Sequence, residues 1–276
     1  MLVFLIPIKS PQVATSWTEL SKMYTRCIRS VCNQTSSEFR AIVVCHEIPQ
    51  TDFSHPQVQY IKVDFPIPGS SLPEKMVDKT KKLAVGLLAA QSLQPTHIMP
   101  VDADDCISNR LASVVAKNPK SNGWYIDSGY LYEEGSSTIT VRKKNFYRLC
   151  GTCNIINYRL FNLPEKVLQN EPLTGHDRFL SGHPLAKRDL AARGMPLEPL
   201  PFPGAIYVRD RIGESTCLQE PLLTKLTRNP KELSVNLKKL LIAPFKQQKL
   251  TDEIRSEFYL YPLVEIANQK NYIQYF

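Results

Sequence analysis

Residues 96–106 read THIMPVDADDC, an apolar run that passes straight into Asp102, Asp104 and Asp105. An apolar run of that length, stopped by charge, is the end of a buried strand. In open α/β sheets ligands bind outside the carboxyl ends of the strands, so the sequence places three carboxylates at such an edge. Carboxylates this close repel one another unless a cation joins them. Clusters of oxygen ligands favour hard cations, and Mg2+ is commonly held by one or two carboxylates together with substrate phosphates. The stretch therefore points to Mn2+ or Mg2+ bound with a phosphorylated ligand. It reads equally as a loop in which Asp105 or Ser108 caps a helix through Leu111, Val114 and Val115.

The chain before this stretch follows the same pattern. Residues 2–8 form a first apolar run, and Trp17, Leu20, Tyr24, Cys27, Ile28 and Val31 then recur at helical spacing. Residues 39–45 are apolar and β-branched, and residues 58–63 alternate as a less buried strand would. Leu83, Leu87 and Leu88 share one face of a helix expected to begin near Asp78. The order β-α-β-β-α-β-α over the first 117 residues predicts an α/β sheet of largely parallel strands flanked by helices. Later, 124–126, 139–141 and 154–157 read as short strands, the first two separated by a spacer at 130–137. A helical turn near 158–161, partial helix over 177–190, a Pro-rich loop at 196–203 and a strand at 205–208 follow. From 222 onward the chain reads as helices.

The 276 residues allow one large or two small domains, and 43% hydrophobic with 22% charged residues is ordinary for a soluble chain that buries a core. The apolar start lacks a basic leader and a cleavage site, and Pro7 interrupts it, so it reads as a strand and not a signal peptide. Residues 83–90 are too few to cross a bilayer. Seven cysteines, an odd number, fit reduced thiols and a cytoplasmic setting better than a disulfide framework. The lone CxxC at 150–153 is weak evidence for zinc or redox chemistry. The net charge of +8 is concentrated: residues 221–250 hold seven basic residues and one acidic, a local +6. Such a segment suits an anionic membrane surface, although a solvated helix face is the commoner case. No nucleic-acid-binding module is recognisable, and none is expected.

Several motifs, in order, resemble the GT-A glycosyltransferases, most closely the family 2-like inverting group, over residues 1–216. FLIPI at 4–8 is similar to the opening strand with its proline. CIRSVCNQT at 27–35 followed by FRAIVV at 39–44 resembles the segment leading into the second strand. Asp102-Ala103-Asp104 resembles the DXD motif, GTCNI at 151–155 the small-residue stretch before the acceptor region, and GHDRF at 175–179 the catalytic-base motif. The resemblance implies a Rossmann-like, mixed and mainly parallel sheet with a helical C-terminal extension. It implies a nucleotide-sugar-binding half (1–117), an acceptor-binding half (118–216) and a basic extension (217–276). The implied reaction is metal-dependent sugar transfer from a nucleotide-sugar donor to a carbohydrate or lipid-linked acceptor, with inversion. Asp104 would bind the metal, and Asp102 the ribose or the metal's water. Pro7, Lys79, Lys82 and Arg209 fall where such enzymes face the nucleotide, and Asp177 where they place the base. His176 and Tyr130 would contact the acceptor. His97 and His183 read as structural.

Two departures stand out. The second strand ends in Cys45-His46-Glu47 where the family has carboxylates that meet the nucleobase, so His46 or Glu47 would take that part. His176 replaces the usual Glu of the base motif. A non-catalytic sugar-nucleotide or glycan-binding protein of the same fold is the alternative these departures favour. A haloacid-dehalogenase-type phosphatase also begins with Asp-x-Asp after a strand, but its flanking residues are missing here.

Overall fold

The computed structural model describes residues 1–163, 167, 177–180, 182–209 and 247–263. His176, most of the basic segment and the helices expected between 222 and 246 lie outside the described residues. The strands are β1 (Leu2–Pro7), β2 (Phe39–Cys45), β3 (Val58–Lys62), β4 (His97–Pro100), β5 (Cys106–Ile107) and β6 (Gly123–Tyr125). They continue with β7 (Gly129–Glu133), β8 (Thr138–Arg142), β9 (Asn154–Asn157), β10 (Glu198–Pro199), β11 (Ala205–Arg209) and β12 (Gln247–Lys249). The helices are α1 (Trp17–Cys32), α2 (Leu72–Ala90), α3 (Leu111–Lys117), α4 (Leu185–Ala192) and α5 (Asp252–Phe258).

One sheet has the order β10-β6-β9-β4-β1-β2-β3, the other β12-β8-β7-β11-β5. In the first, β1 to β4 are parallel and β9 runs antiparallel between β4 and β6. This is the mixed, mainly parallel sheet expected from the alternating pattern. Chain order reverses at β1, with β2 and β3 on one side and β4 on the other. That reversal opens a crevice at the carboxyl ends of β1 and β4. The first sheet takes strands from both sides of residue 117, because β6, β9 and β10 complete it.

β1 is buried on both faces, as a central strand with near-continuous apolar residues must be. On α1 the residues Leu20, Met23, Tyr24, Cys27, Ile28 and Val31 are all buried. Each large apolar side chain removed from water in this way contributes roughly 1.5–3 kcal/mol. Helix α2 begins at Leu72 and not near Asp78. Ser71 and Glu74 form a reciprocal capping box there, with Pro73 in the first turn. The expectation followed the leucine face, which starts a turn later than the helix. Gly86 brings α2 close to the sheet, since a Cβ there would lie 3.1 Å from Leu5 Cδ2.

The spacer expected at 130–137 contains a strand, β7, which pairs antiparallel with β8. Tyr132 and Ile139 face a second, smaller core with Ile206 and Val208. The other side of that core is Leu250, Ile254, Phe258 and Leu260, so the described C-terminal residues close over this sheet. They are a strand and a helix, not helix alone. Glu257 fastens them by accepting from Ser108 Oγ at 2.6 Å and Arg110 Nε at 2.9 Å. Helix α3 therefore starts without a side-chain cap at Arg110, and neither Asp105 nor Ser108 is its N-cap.

His97 is fully buried against Trp124, with ring centroids 5.3 Å apart, and its Nε2 bonds the Ser121 carbonyl at 3.0 Å. Burial pushes its pKa down to about 4. The unfolded chain therefore binds a proton here more readily than the fold does. The stabilisation is present above pH 6.5 and is lost as pH falls from 6.5 toward 4, up to roughly 3 kcal/mol. Thermal melts should show that loss in wild type and a flatter profile in His97→Gln. Identical pH profiles would contradict the assignment.

Candidate active site

The crevice at β1 and β4 is a cavity of about 280 Å3. Its apolar wall includes Pro7, Ile8, Val13, Leu20, Met23 and Met76, and its polar wall includes Asp78, Lys79, Lys82, Asp102, Asp104 and His183. The strand end and the helix face that the sequence marked therefore meet in one place.

Asp102 lies two residues past the end of β4. Its side chain accepts a short bond from Lys79 Nζ. Burial opposes the charge on Lys79, but Asp102, with Asp104 and Asp105 behind it, more than offsets this and raises the ammonium pKa. Gly151 faces Asp102 so closely that a Cβ would lie 2.3 Å from Oδ2. Any larger residue at 151 would displace the carboxylate, which explains a glycine at that position.

Asp105 does not line the cavity. It is buried, and its Oδ2 accepts from Thr152 Oγ1 at 2.6 Å and from Cys150 Sγ at 3.1 Å. Its Oδ1 lies 3.4 Å from the Val208 amide, which donates to it. Burial, with Asp104 and Asp102 adding to it, pushes its carboxyl well above the ordinary range. The Thr152 hydroxyl in turn accepts from the Asp102 amide at 2.9 Å. Asp105 thus positions the turn that carries Asp102.

Of the three clustered carboxylates, two remain for a cation. Among the described residues no group of three His, Cys, Asp or Glu side chains is placed to hold a metal ion. Asp102 and Asp104 together fit a hard cation whose other ligands come from phosphate and water. Lys79 already supplies one positive charge at Asp102.

The other expected site residues divide. Pro7 lines the cavity at the end of β1. Lys82 lines it too, but its Nζ is spent on the Ile8 carbonyl at 2.7 Å and Asp78 Oδ2 at 2.6 Å. His46 bonds the Phe65 carbonyl through Nε2 at 3.0 Å, and Glu47 is exposed; neither lines the cavity. Arg209 ends β11 on the same face as Tyr207, which does line the cavity. Tyr130 points to the opposite face, edge-on to Phe258 at 5.6 Å. Asp177 is buried outside the cavity. It accepts from the Asn162 amide at 2.7 Å, Asn162 Nδ2 at 2.9 Å and Arg193 Nη1 at 3.0 Å. Burial raises its pKa, and these bonds pull it back in part.

His183, read from the sequence as structural, lines the cavity. It bonds the Arg148 backbone, while its Nε2 has no hydrogen-bond partner. Burial lowers its pKa, with Asp102 pulling the other way, so the ring is neutral near pH 7 and Nε2 carries a lone pair. No pattern in the sequence marks it, because its place depends on two turns, at 148–151 and 182–185, meeting in space.

No protein-family model matches this chain, and no curated protein matches it in sequence. Among solved structures it is similar to S. aureus TarS 1-349, at 14% identity and a TM-score of 0.41, over 75% of this chain and 60% of that one. The same protein in complex with UDP-GlcNAc matches at 12% identity and a TM-score of 0.39, over 92% and 69%. The 2-C-methyl-D-erythritol 4-phosphate cytidylyltransferase IspD of Francisella tularensis matches at 10% identity and 0.34, over 85% and 99%. Such distant likenesses say nothing about substrate.

Proposed function

We propose that this chain is a glycosyltransferase that moves a sugar from a nucleotide-diphosphate sugar to an acceptor hydroxyl, with inversion. The observation that carries the reading is the cavity itself. At the sheet's switch point an apolar wall adjoins two carboxylates, Asp102 and Asp104, with a lysine between helix and strand. Asp102 and Asp104 would hold Mn2+ or Mg2+, which when bound supplies positive charge to the leaving diphosphate. Lys79 can shift from Asp102 to a phosphate oxygen and add to that charge. Gly151 keeps the carboxylate accessible, and the Thr152–Asp105 pair keeps it aimed.

Proton removal from the acceptor has two candidates. Asp177 has the motif position, but all its described bonds tie it to Asn162 and Arg193. His183 has a free lone pair at the cavity wall. Arg209, at the end of β11, would approach the diphosphate in this reading. His176 is an acceptor contact as part of this proposal, whereas Tyr130, packed edge-on to Phe258 away from the cavity, is not.

The test is a panel of nucleotide sugars assayed for release of nucleoside diphosphate with and without excess EDTA. Release with one donor, abolished by EDTA, is the expected result. Binding without turnover over the whole panel would favour the non-catalytic sugar-nucleotide-binding alternative. No helix among the described residues is long and apolar enough to cross a membrane. The basic segment 221–250 is proposed to attach the enzyme reversibly to anionic lipid, each Lys or Arg at the surface contributing about 1 kcal/mol. Co-sedimentation with anionic vesicles at low salt and release at high salt are expected; absence of binding at both would end that part of the proposal.

A further inference from the structure

The cavity has a second polar feature on the β2 side of β1, away from Asp102. Helix α2 packs across β1 and β2. Asp78 and Lys79 leave it about 100° apart, as neighbours on a helix do. Lys79 turns toward β4, and Asp78 toward the ends of β1 and β2.

Asp78 is 8% exposed and lines the cavity. Lys82, fully buried, holds Oδ2 and is itself fixed by the Ile8 carbonyl. Oδ1 is buried and has no hydrogen-bond partner. Beyond Lys82, His46 Nε2 lies 4.0 Å from Oδ1 and is already committed to the Phe65 carbonyl. A carbonyl only accepts, so Nε2 carries the hydrogen and Nδ1 a lone pair. Burial and then Lys82 hold the His46 pKa below its ordinary value, so the ring stays neutral near pH 7. Nδ1 is also buried without a partner. His46 thus offers Asp78 Oδ1 no hydrogen, and that oxygen stands unmet on a residue that lines a cavity whose apolar side is Ile8, Val13, Leu20 and Met23. An unmet buried acceptor is costly, and a ligand N–H recovers that cost on binding.

We propose that Asp78 reads the nucleobase. Its Oδ1 accepts the ring N–H of a base protonated on its pairing edge, which is uracil N3–H or guanine N1–H. Cytosine and adenine carry a lone pair on that ring nitrogen and are repelled. The assignment rests on the nucleotide-sugar reading above. It moves base selection from the end of β2, where His46 and Glu47 were expected to act, to a carboxylate on α2 clamped by Lys82.

The experiment is calorimetric titration of the full chain with UDP, GDP, CDP and ADP at one fixed Mn2+ concentration. UDP or GDP should bind about 10–100-fold more tightly than CDP and ADP, and the two tight arms separate uracil from guanine. In Asp78→Asn the preferred nucleotide should lose about tenfold or more, while CDP should not weaken, because the amide can offer an N–H. Equal affinity for all four, or a preference for CDP or ADP, overturns the assignment while leaving nucleotide binding intact. Binding of none overturns it together with the proposed function. An Asp78→Asn variant that keeps the wild-type affinity for the preferred nucleotide also overturns it. If that variant fails to fold, the wild-type ranking decides alone.

Discussion

Replacing Asp104 with alanine is expected to lower nucleoside diphosphate release by about 10³-fold or more while leaving the melting temperature near wild type. The residue lies on the turn after β4, half-buried at the cavity wall, and is not part of the core. A charge clamp on a leaving diphosphate is worth several kcal/mol in the transition state, and about 4 kcal/mol corresponds to three decades in rate. The expected signature is a fall in kcat with a smaller change in KM, since the charge is needed most as the bond breaks. Asp105→Asn should behave differently, because it alters a buried group bonded to Thr152, Cys150 and Val208 and should lower stability. A near-normal rate in Asp104→Ala would remove the carboxylate pair from the mechanism.

The second large effect separates the two candidate bases. Loss of a positioned general base typically costs about 10²–10⁴-fold. If His183 takes the proton, His183→Gln should lose that much in kcat with donor affinity unchanged. Asp177→Asn should then mainly lower stability, because it weakens the bonds to Asn162 and Arg193. If Asp177 takes the proton, the pattern reverses: Asp177→Asn loses kcat, and His183→Gln does not. The comparison uses single-turnover rates and thermal melts on the same preparations. Near-normal kcat in both variants would leave neither residue with the role.

Much of the fold of residues 1–117 was legible in the sequence, and the reason is local. β1, β2 and β4 are central strands dominated by apolar residues, and α1 has a continuous buried stripe, so period and composition identify them without tertiary information. The start of α2 was also written in the chain as Ser71-Leu-Pro-Glu74, a signature overlooked in favour of the leucines. β7 was hidden for a different reason. Its Tyr130-Leu-Tyr-Glu133 alternates between two cores that only the folded chain defines. The site divides in the same way. Asp102 and Asp104 sit at the end of a readable strand and could be placed. The inward turn of Asp105, the burial of Lys82 and the approach of His183 depend on residues 45 or more positions away, or on turns without periodicity.

The Asp105 cluster has a consequence for how the site comes into being. Its bonds reach from residues 102–105 to 150–152 and on to Val208, and β11 in turn pairs with β7 and β5. Contacts so far apart in sequence form only after long loops have closed, and such closures come late and slowly. A growing or truncated chain that ends near residue 117 would contain every acidic residue of the motif and still lack the partners that aim it. The cavity takes its final shape only when the second sheet has docked, so under the proposed function incompletely folded chains would not consume donor.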